Sequence, residues 1–153
     1  MKRIKLIVLI LSLIGVSAAQ AQHKYSCSAD EKAFGGNDLV AYFAGTAQPG
    51  LDEFKLEYDG LQLYFANAEN RATFQENPEE YIPAYGGWCA TAVSSDVYVT
   101  PDYNMFKIQD GELFFFEVKA FYNGKTQWEK DPDIHEISAT KNYREKFEIN
   151  EEQ

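Results

Sequence analysis

The chain has 153 residues, with 14 basic and 24 acidic side chains and a formal net charge of −10. A surface that negative repels nucleic acid and anionic lipid, which excludes both as partners. The 11 Phe, 10 Tyr and 2 Trp all follow residue 21, enough aromatic bulk for a dense core in one small domain.

Residues 1–21 read as a signal peptide. Lys2, Arg3 and Lys5 form a basic start, Ile4 to Val16 is almost wholly apolar, and Ala19-Gln20-Ala21 has the small-x-small pattern of a signal-peptidase site. The apolar run is too short to span a bilayer of about 30 Å. Cys27 follows Lys24-Tyr25-Ser26, not the small apolar residues of a lipoprotein signal, and no later segment is apolar enough to cross a membrane. The expectation is a periplasmic or secreted protein with no stable membrane insertion after signal removal. Without the signal the net charge becomes −13, since all three basic groups and no acid are lost with it.

Export also bears on the two cysteines, because an oxidising compartment favours disulfides. A Cys27–Cys89 bridge would stabilise the fold by about 4 kcal/mol on the loop-entropy model. Two separate thiols are the other reading, and both stay open.

Residues 22–37 are polar and end in Gly35-Gly36, an expected loosely held N-terminal arm before a body spanning 38–150. No internal repeat, low-complexity tract or Pro/Gly-rich linker is read in the chain, so one domain is expected. Asp59-Gly60 is a two-residue hairpin turn. Folding about it sets Tyr58 against Leu61, Leu56 against Leu63 and Phe54 against Phe65 on one face. Asn67 is a good N-cap for a helix over Ala68–Glu76, ended by Pro78, with Phe74 turned inward. Asp110-Gly111 repeats the hairpin signal and sets Phe106 and Ile108 against Phe115 and Leu113. The strand 113–116 is apolar on both faces, so it is expected to be central or to line a pocket. A helix including Thr126 to Lys130 turns Trp128 inward. The pair Tyr143 and Phe147 marks one side of a last helix starting near Ser138 or Ala139. Antiparallel β-hairpins packed with short helices make an α+β domain.

The segments Asp38-Leu39-Val40-Ala41-Tyr42-Phe43, Tyr58-Asp59-Gly60, Tyr64-Phe65 and Asn77-Pro78-Glu79-Glu80-Tyr81, with Phe74, resemble the YHS domain. Tyr85-Gly86-Gly87-Trp88-Cys89-Ala90 and the stretch from Phe106 to Gly111 resemble the longer exported YHS-domain proteins of bacteria. The resemblance implies a YHS-like single domain with a C-terminal extension. In the wider family it also implies a metal held by cysteines, at positions that fall here on Ala41, Ala66 and Asn70. Alanine ligates nothing and an amide is a poor soft-metal ligand, so that site does not carry over.

Cys89 is the candidate functional side chain, and a metal ion there is one expectation. Gly86-Gly87 before it permit an unusual backbone path and close approach of another group, and Tyr85 and Trp88 set aromatic surface beside it. A buried, inert thiol is the alternative. His23 and His135 make no ligand spacing, although a composite of Cys89 and His135 in space stays open. No catalytic residue is selected: G-x-S-x-G, C-x-x-C, H-E-x-x-H and phosphate-loop motifs are all missing. The expected function is therefore an exported, non-catalytic binding or accessory protein holding a small ligand or metal ion near Tyr42, Tyr85, Trp88 and Cys89. Two alternatives accompany it: a thiol redox protein using Cys89 with Cys27, and a ligand-free structural or protein-interaction domain.

Overall fold

A computed structural model describes residues 23–27 and 31–149 of the chain. The expected signal peptide lies outside the described residues. The expected α+β class is what the structure shows, as three two-stranded antiparallel sheets and six short helices. Strand β1 (Leu51–Tyr58) pairs with β2 (Leu61–Phe65), and β3 (Asp102–Gln109) pairs with β4 (Glu112–Phe116). Both hairpins close on Asp-Gly turns with positive φ at each turn residue: 48° and 75° at Asp59 and Gly60, 51° and 84° at Asp110 and Gly111. Those dihedrals match the right-handed strand twist, which is why Asp-Gly is selected there.

The helices are α1 (Leu39–Phe43), α2 (Ala68–Glu76), α3 (Pro78–Tyr81), α4 (Ala90–Val93), α5 (Gly124–Trp128) and α6 (Pro132–Phe147). Asn67 caps α2 as expected, its side chain accepting from Asn70 N. Pro78 does more than end α2: it is the first residue of α3, where its missing N–H has no partner to lose. Likewise Pro132 starts α6 six residues earlier than Ser138, because proline is favoured in the first turn of a helix. Among the described residues no helix is long and apolar enough to cross a membrane.

The register holds near the turns and slips away from them. Tyr58–Leu61 and Leu56–Leu63 pair as expected, but a shift between Leu51 and Lys55 places Leu51, not Phe54, opposite Phe65. The second hairpin has the same irregularity between Asp102 and Phe106.

That coincidence is one of many, and it corrects the expectation of a chain without a repeat. A step of 51 positions separates Ala33 from Ala84, Asp59 from Asp110 and Phe65 from Phe116. Ala33–Gly36 and Ala84–Gly87 make the same left-handed bend, with Phe34 at φ 53°, ψ 41° and Tyr85 at φ 53°, ψ 35°. After each bend, the residue preceding the short helix donates its N–H across the same gap: Asp38 N to Gln48 O at 2.8 Å, Cys89 N to Val99 O at 3.1 Å. After each hairpin an Asn caps a helix (Asn67, Asn123), an aromatic residue turns inward (Phe74, Trp128), and Asn77-Pro78 or Asp131-Pro132 opens the next helix. The body is two copies of one unit.

Each unit builds its own core around one shared strand. Leu113 and Phe115 of β4 enter the cluster containing Phe34, Tyr42, Phe65 and Phe74, while Phe114 and Phe116 enter the one containing Val93, Trp128 and Tyr143. Leu113, Phe114, Phe115 and Phe116 are each at most 1% exposed. The doubly apolar strand is thus the partition between two cores, and each buried Phe contributes about 2–3 kcal/mol relative to an exposed one.

Described residues of the N-terminal segment pack into the body. Cys27, Ala33 and Phe34 belong to the first core, and Phe34 stacks on Phe115 with ring centroids 6.3 Å apart. A polar average over 22–37 concealed the few side chains that anchor it.

Candidate functional site

The first unit is organised around a buried carboxylate. Asp38 Oδ1 accepts from Val40 N at 2.9 Å and Ala41 N at 3.2 Å, capping α1, while Oδ2 accepts from Ala66 N at 2.8 Å and Asn70 Nδ2 at 2.6 Å. Four N–H donors hold one side chain that is fully buried, which is how a carboxylate is retained in an interior. Ala41, Ala66 and Asn70 are the positions where the YHS resemblance locates metal-binding cysteines, and all three converge on Asp38. In this chain the convergence holds a hydrogen-bonded acid and amide. These hard donors, already saturated by N–H groups, do not fit a soft metal ion.

Cys89 occupies the equivalent place in the second unit. Its Sγ accepts from Glu117 N at 3.2 Å, as Asp38 accepts from Ala66 N one step of 51 earlier. The thiol is completely buried. Burial pushes its pKa up, against the lowering effect of backbone N–H groups at Glu117, Ala92 and Thr91. A neutral thiol is thus favoured, a weak acceptor standing where the first unit has a charged cap. Cys27 is also buried with its thiol pushed up by burial. Both cysteines are free in this structure.

The residues around Cys89 point in different directions. Trp88 donates Nε1–H to Lys24 O at 3.2 Å and meets Tyr98 edge-on. Tyr85 turns into the second core, its hydroxyl 3.2 Å from Thr140 Oγ1, and burial raises its pKa to about 12. Gly86 gives the close approach its sequence context suggested, and the approaching group is the protein's own arm. Ser26 N donates to Gly86 O at 2.9 Å, and Tyr143 donates to Lys24 O at 2.9 Å. Tyr42 lies in the other core, donating to Tyr103 O at 2.7 Å and packing edge-on against Phe115. Tyr85, Trp88 and Cys89 are therefore neighbours in chain and in space, whereas Tyr42 belongs to a different centre.

Two hollows border Tyr42 and Tyr85, and a third lies against Glu117 and Thr91. Tyr42 lines one of about 470 Å³ with Met105, Phe106 and Lys107. Tyr85 lines one of about 340 Å³ with Tyr25, Asp59 and Tyr143. The hollow beside Cys89, about 680 Å³, is lined by Thr91, Val97, Val99, Glu117, Tyr122 and other residues, but not by the sulfur itself.

Sequence reasoning did not find the role of His135. Ser94 Oγ donates to Thr91 O at 2.7 Å and lies 3.0 Å from His135 Nδ1. The ring stacks on Trp128 at 5.8 Å and 18°. In the first unit the same positions hold Phe43, Tyr81 and Phe74, packed ring on ring at 5.1 and 6.2 Å. The recurrence of Asn-Pro as Asp-Pro 54 positions later was the signal available in the sequence. His135 thus serves a packing position in the second unit, engaged by Ser94 and Trp128.

Among the described residues no group of three or more His, Cys, Asp and Glu side chains is arranged to hold a metal ion. Compared with protein-family models, with curated proteins and with solved structures, the chain matches none.

Proposed function

We propose that this is an exported, YHS-like, non-catalytic binding protein, and that a small, mainly apolar ligand occupies the hollow beside Cys89. The observation that carries the reading is that hollow of about 680 Å³, with Ala92, Val97, Val99 and Tyr122 as apolar wall and Thr91, Ser95, Glu117, Lys119 and Gln127 as polar points. An apolar wall with polar groups set around it is a combination that small-molecule sites use. Cys89 acts in this reading from beneath: its sulfur ties Glu117 N to the start of α4, holding the two walls together.

Two buried thiols with raised pKa give little support to the redox alternative, which needs an accessible thiolate. The test is native mass spectrometry of the mature protein taken from its cell envelope, beside Val97→Trp, which fills the hollow from an exposed position. Extra mass on the native protein that is lost in the variant supports the site. A bare polypeptide mass, or extra mass unchanged by Val97→Trp, overturns it.

A further inference from the structure

The hollow that Tyr42 borders is built where the two units meet. Its lining takes Tyr42 and Phe43 from α1, residues 104–108 from β3 and Lys125 from α5. Strand β3 pairs with β4 alone among the described residues, and the hollow lies beside the strand's other edge. By the register, Phe106 and Ile108 share the face of Phe115 and Leu113, while Lys107 shares that of Phe114. Phe43, Met105, Phe106 and Ile108 are all half-buried, large apolar groups that the cores leave partly in water. A volume of about 470 Å³ at such a seam suits a small molecule. The charge is unusual for this chain. The lining contains Lys107 and Lys125 and no carboxylate, whereas the hollows at Tyr85, at Glu117 and along α6 each include an acid. Both lysines are half-buried, and neither makes an ion pair among the described residues, in a chain with 24 acids and 14 bases. The shared plan of the units does not call for them. Their counterparts in the first unit are Leu56, one step of 51 earlier, and Glu69, two residues after the equivalent Asn cap. Asp102, close in the chain, is turned to Asn104, accepting from its N at 2.9 Å and its Nδ2 at 3.1 Å.

We infer that this hollow binds a small organic anion, an apolar body carrying a single carboxylate. The body lies against Phe43, Met105 and Phe106 over Tyr42, and the carboxylate meets Lys107 and Lys125. Apolar surface fixes the body by burial, and the two ammonium groups select the charged end. The acidity of the whole molecule opposes a small ion less than it opposes an extended anionic surface, because charges beyond about 8 Å are screened at physiological ionic strength. Lysine on a strand edge also serves to block pairing with another strand. That role accounts for Lys107, but not for Lys125, which stands on a helix, nor for the apolar surface in the same hollow. The inference goes beyond the reading of the hollow at Glu117: the two share no lining residue, and each holds without the other.

The test is titration of the purified protein with 2-naphthoate, followed through backbone amide chemical shifts, beside the neutral 2-naphthamide and the double variant Lys107→Gln/Lys125→Gln. Saturable shifts are expected at residues 42–45, 104–108 and 125. The amide is expected to bind about tenfold more weakly than the carboxylate, the loss of two partly exposed ion contacts. The double variant is expected to lose the same factor for 2-naphthoate and nothing for 2-naphthamide, and that unchanged binding also shows that its hollow is intact. Sodium chloride should weaken binding of the carboxylate and not of the amide. Absence of saturable shifts at these residues overturns the proposal, as does equal affinity for the two probes. A double variant that binds 2-naphthoate as the native protein does overturns it too, and leaves the lysines as guards of a strand edge. Val97→Trp is expected to leave 2-naphthoate binding unchanged; loss of binding there would place the probe in the hollow at Glu117 and overturn the assignment.

Discussion

Gly86→Ala is the perturbation that most directly tests how the N-terminal segment is held. A Cβ at Gly86 would collide with Lys24 O and lie 2.6 Å from the Tyr143 hydroxyl, on a backbone with φ of +60°. Gly60 is the control: φ is +75°, and nothing lies within 4 Å of its added Cβ. Both alanines suffer the left-handed backbone penalty, about 1–2 kcal/mol. Only Gly86→Ala must also expel the arm, breaking Ser26 N to Gly86 O, Tyr143 OH to Lys24 O and Trp88 Nε1 to Lys24 O. At about 1 kcal/mol for each hydrogen bond, the two variants should differ by about 3 kcal/mol. That is roughly 10 °C in Tm for a domain of this size. Thermal and urea unfolding of both variants measure the difference, and proteolysis after Lys24 reports release of the arm. Equal destabilisation by the two alanines, or an arm still protected in Gly86→Ala, would refute the packing argument.

Asp38→Ala strips the acceptor from four N–H groups, two of them capping α1, and is expected to cost about 3–5 kcal/mol in urea unfolding. Asp38→Asn keeps one carbonyl oxygen and should cost less, so equal losses would contradict the network described. Neither cysteine should react with Ellman's reagent in the native protein at neutral pH, and both should react once unfolded in urea; fast native labelling would reopen the redox reading. Burial, with Glu136 and Asp110 nearby, raises the Glu112 pKa. The folded state then holds that proton more tightly than the unfolded one, so stability is lost as pH rises from the unfolded pKa through the folded one. Glu112→Gln should raise Tm at neutral pH and leave it unchanged near pH 3 (about the foot of the carboxylate range); a gain of equal size at both pH values would remove the cause assigned.

The site was legible only in its parts. Cys89 and its glycine-flanked approach stood out because glycine pairs permit backbone that other residues resist, and that approach is real. Its occupant was not readable, since Lys24 and Gly86 are brought together by the fold and share no local pattern. The resemblance and its aromatic character group Tyr42 with Cys89; it lies in the other core, because membership of a core depends on which face of β4 a residue meets. The duplicated plan was present as Ala-Phe-Gly-Gly and Ala-Tyr-Gly-Gly, and twice as Asp-Gly, at the same step of 51. It escaped notice because most other positions changed residue type while keeping their backbone role, as Asp38 and Cys89 show.

What the sequence determined by itself was local. The Asp-Gly turns, the pairing next to them, the Asn67 cap and the inward Phe74 and Trp128 all follow from interactions between near neighbours in the chain. The register shifts farther up both hairpins, the burial of Phe34, the split of β4 between two cores and the partners of Asp38 were decided by tertiary structure. Each depends on residues distant in the chain competing for one buried space, and the winner is set by packing and by the need to satisfy every interior N–H and C=O group.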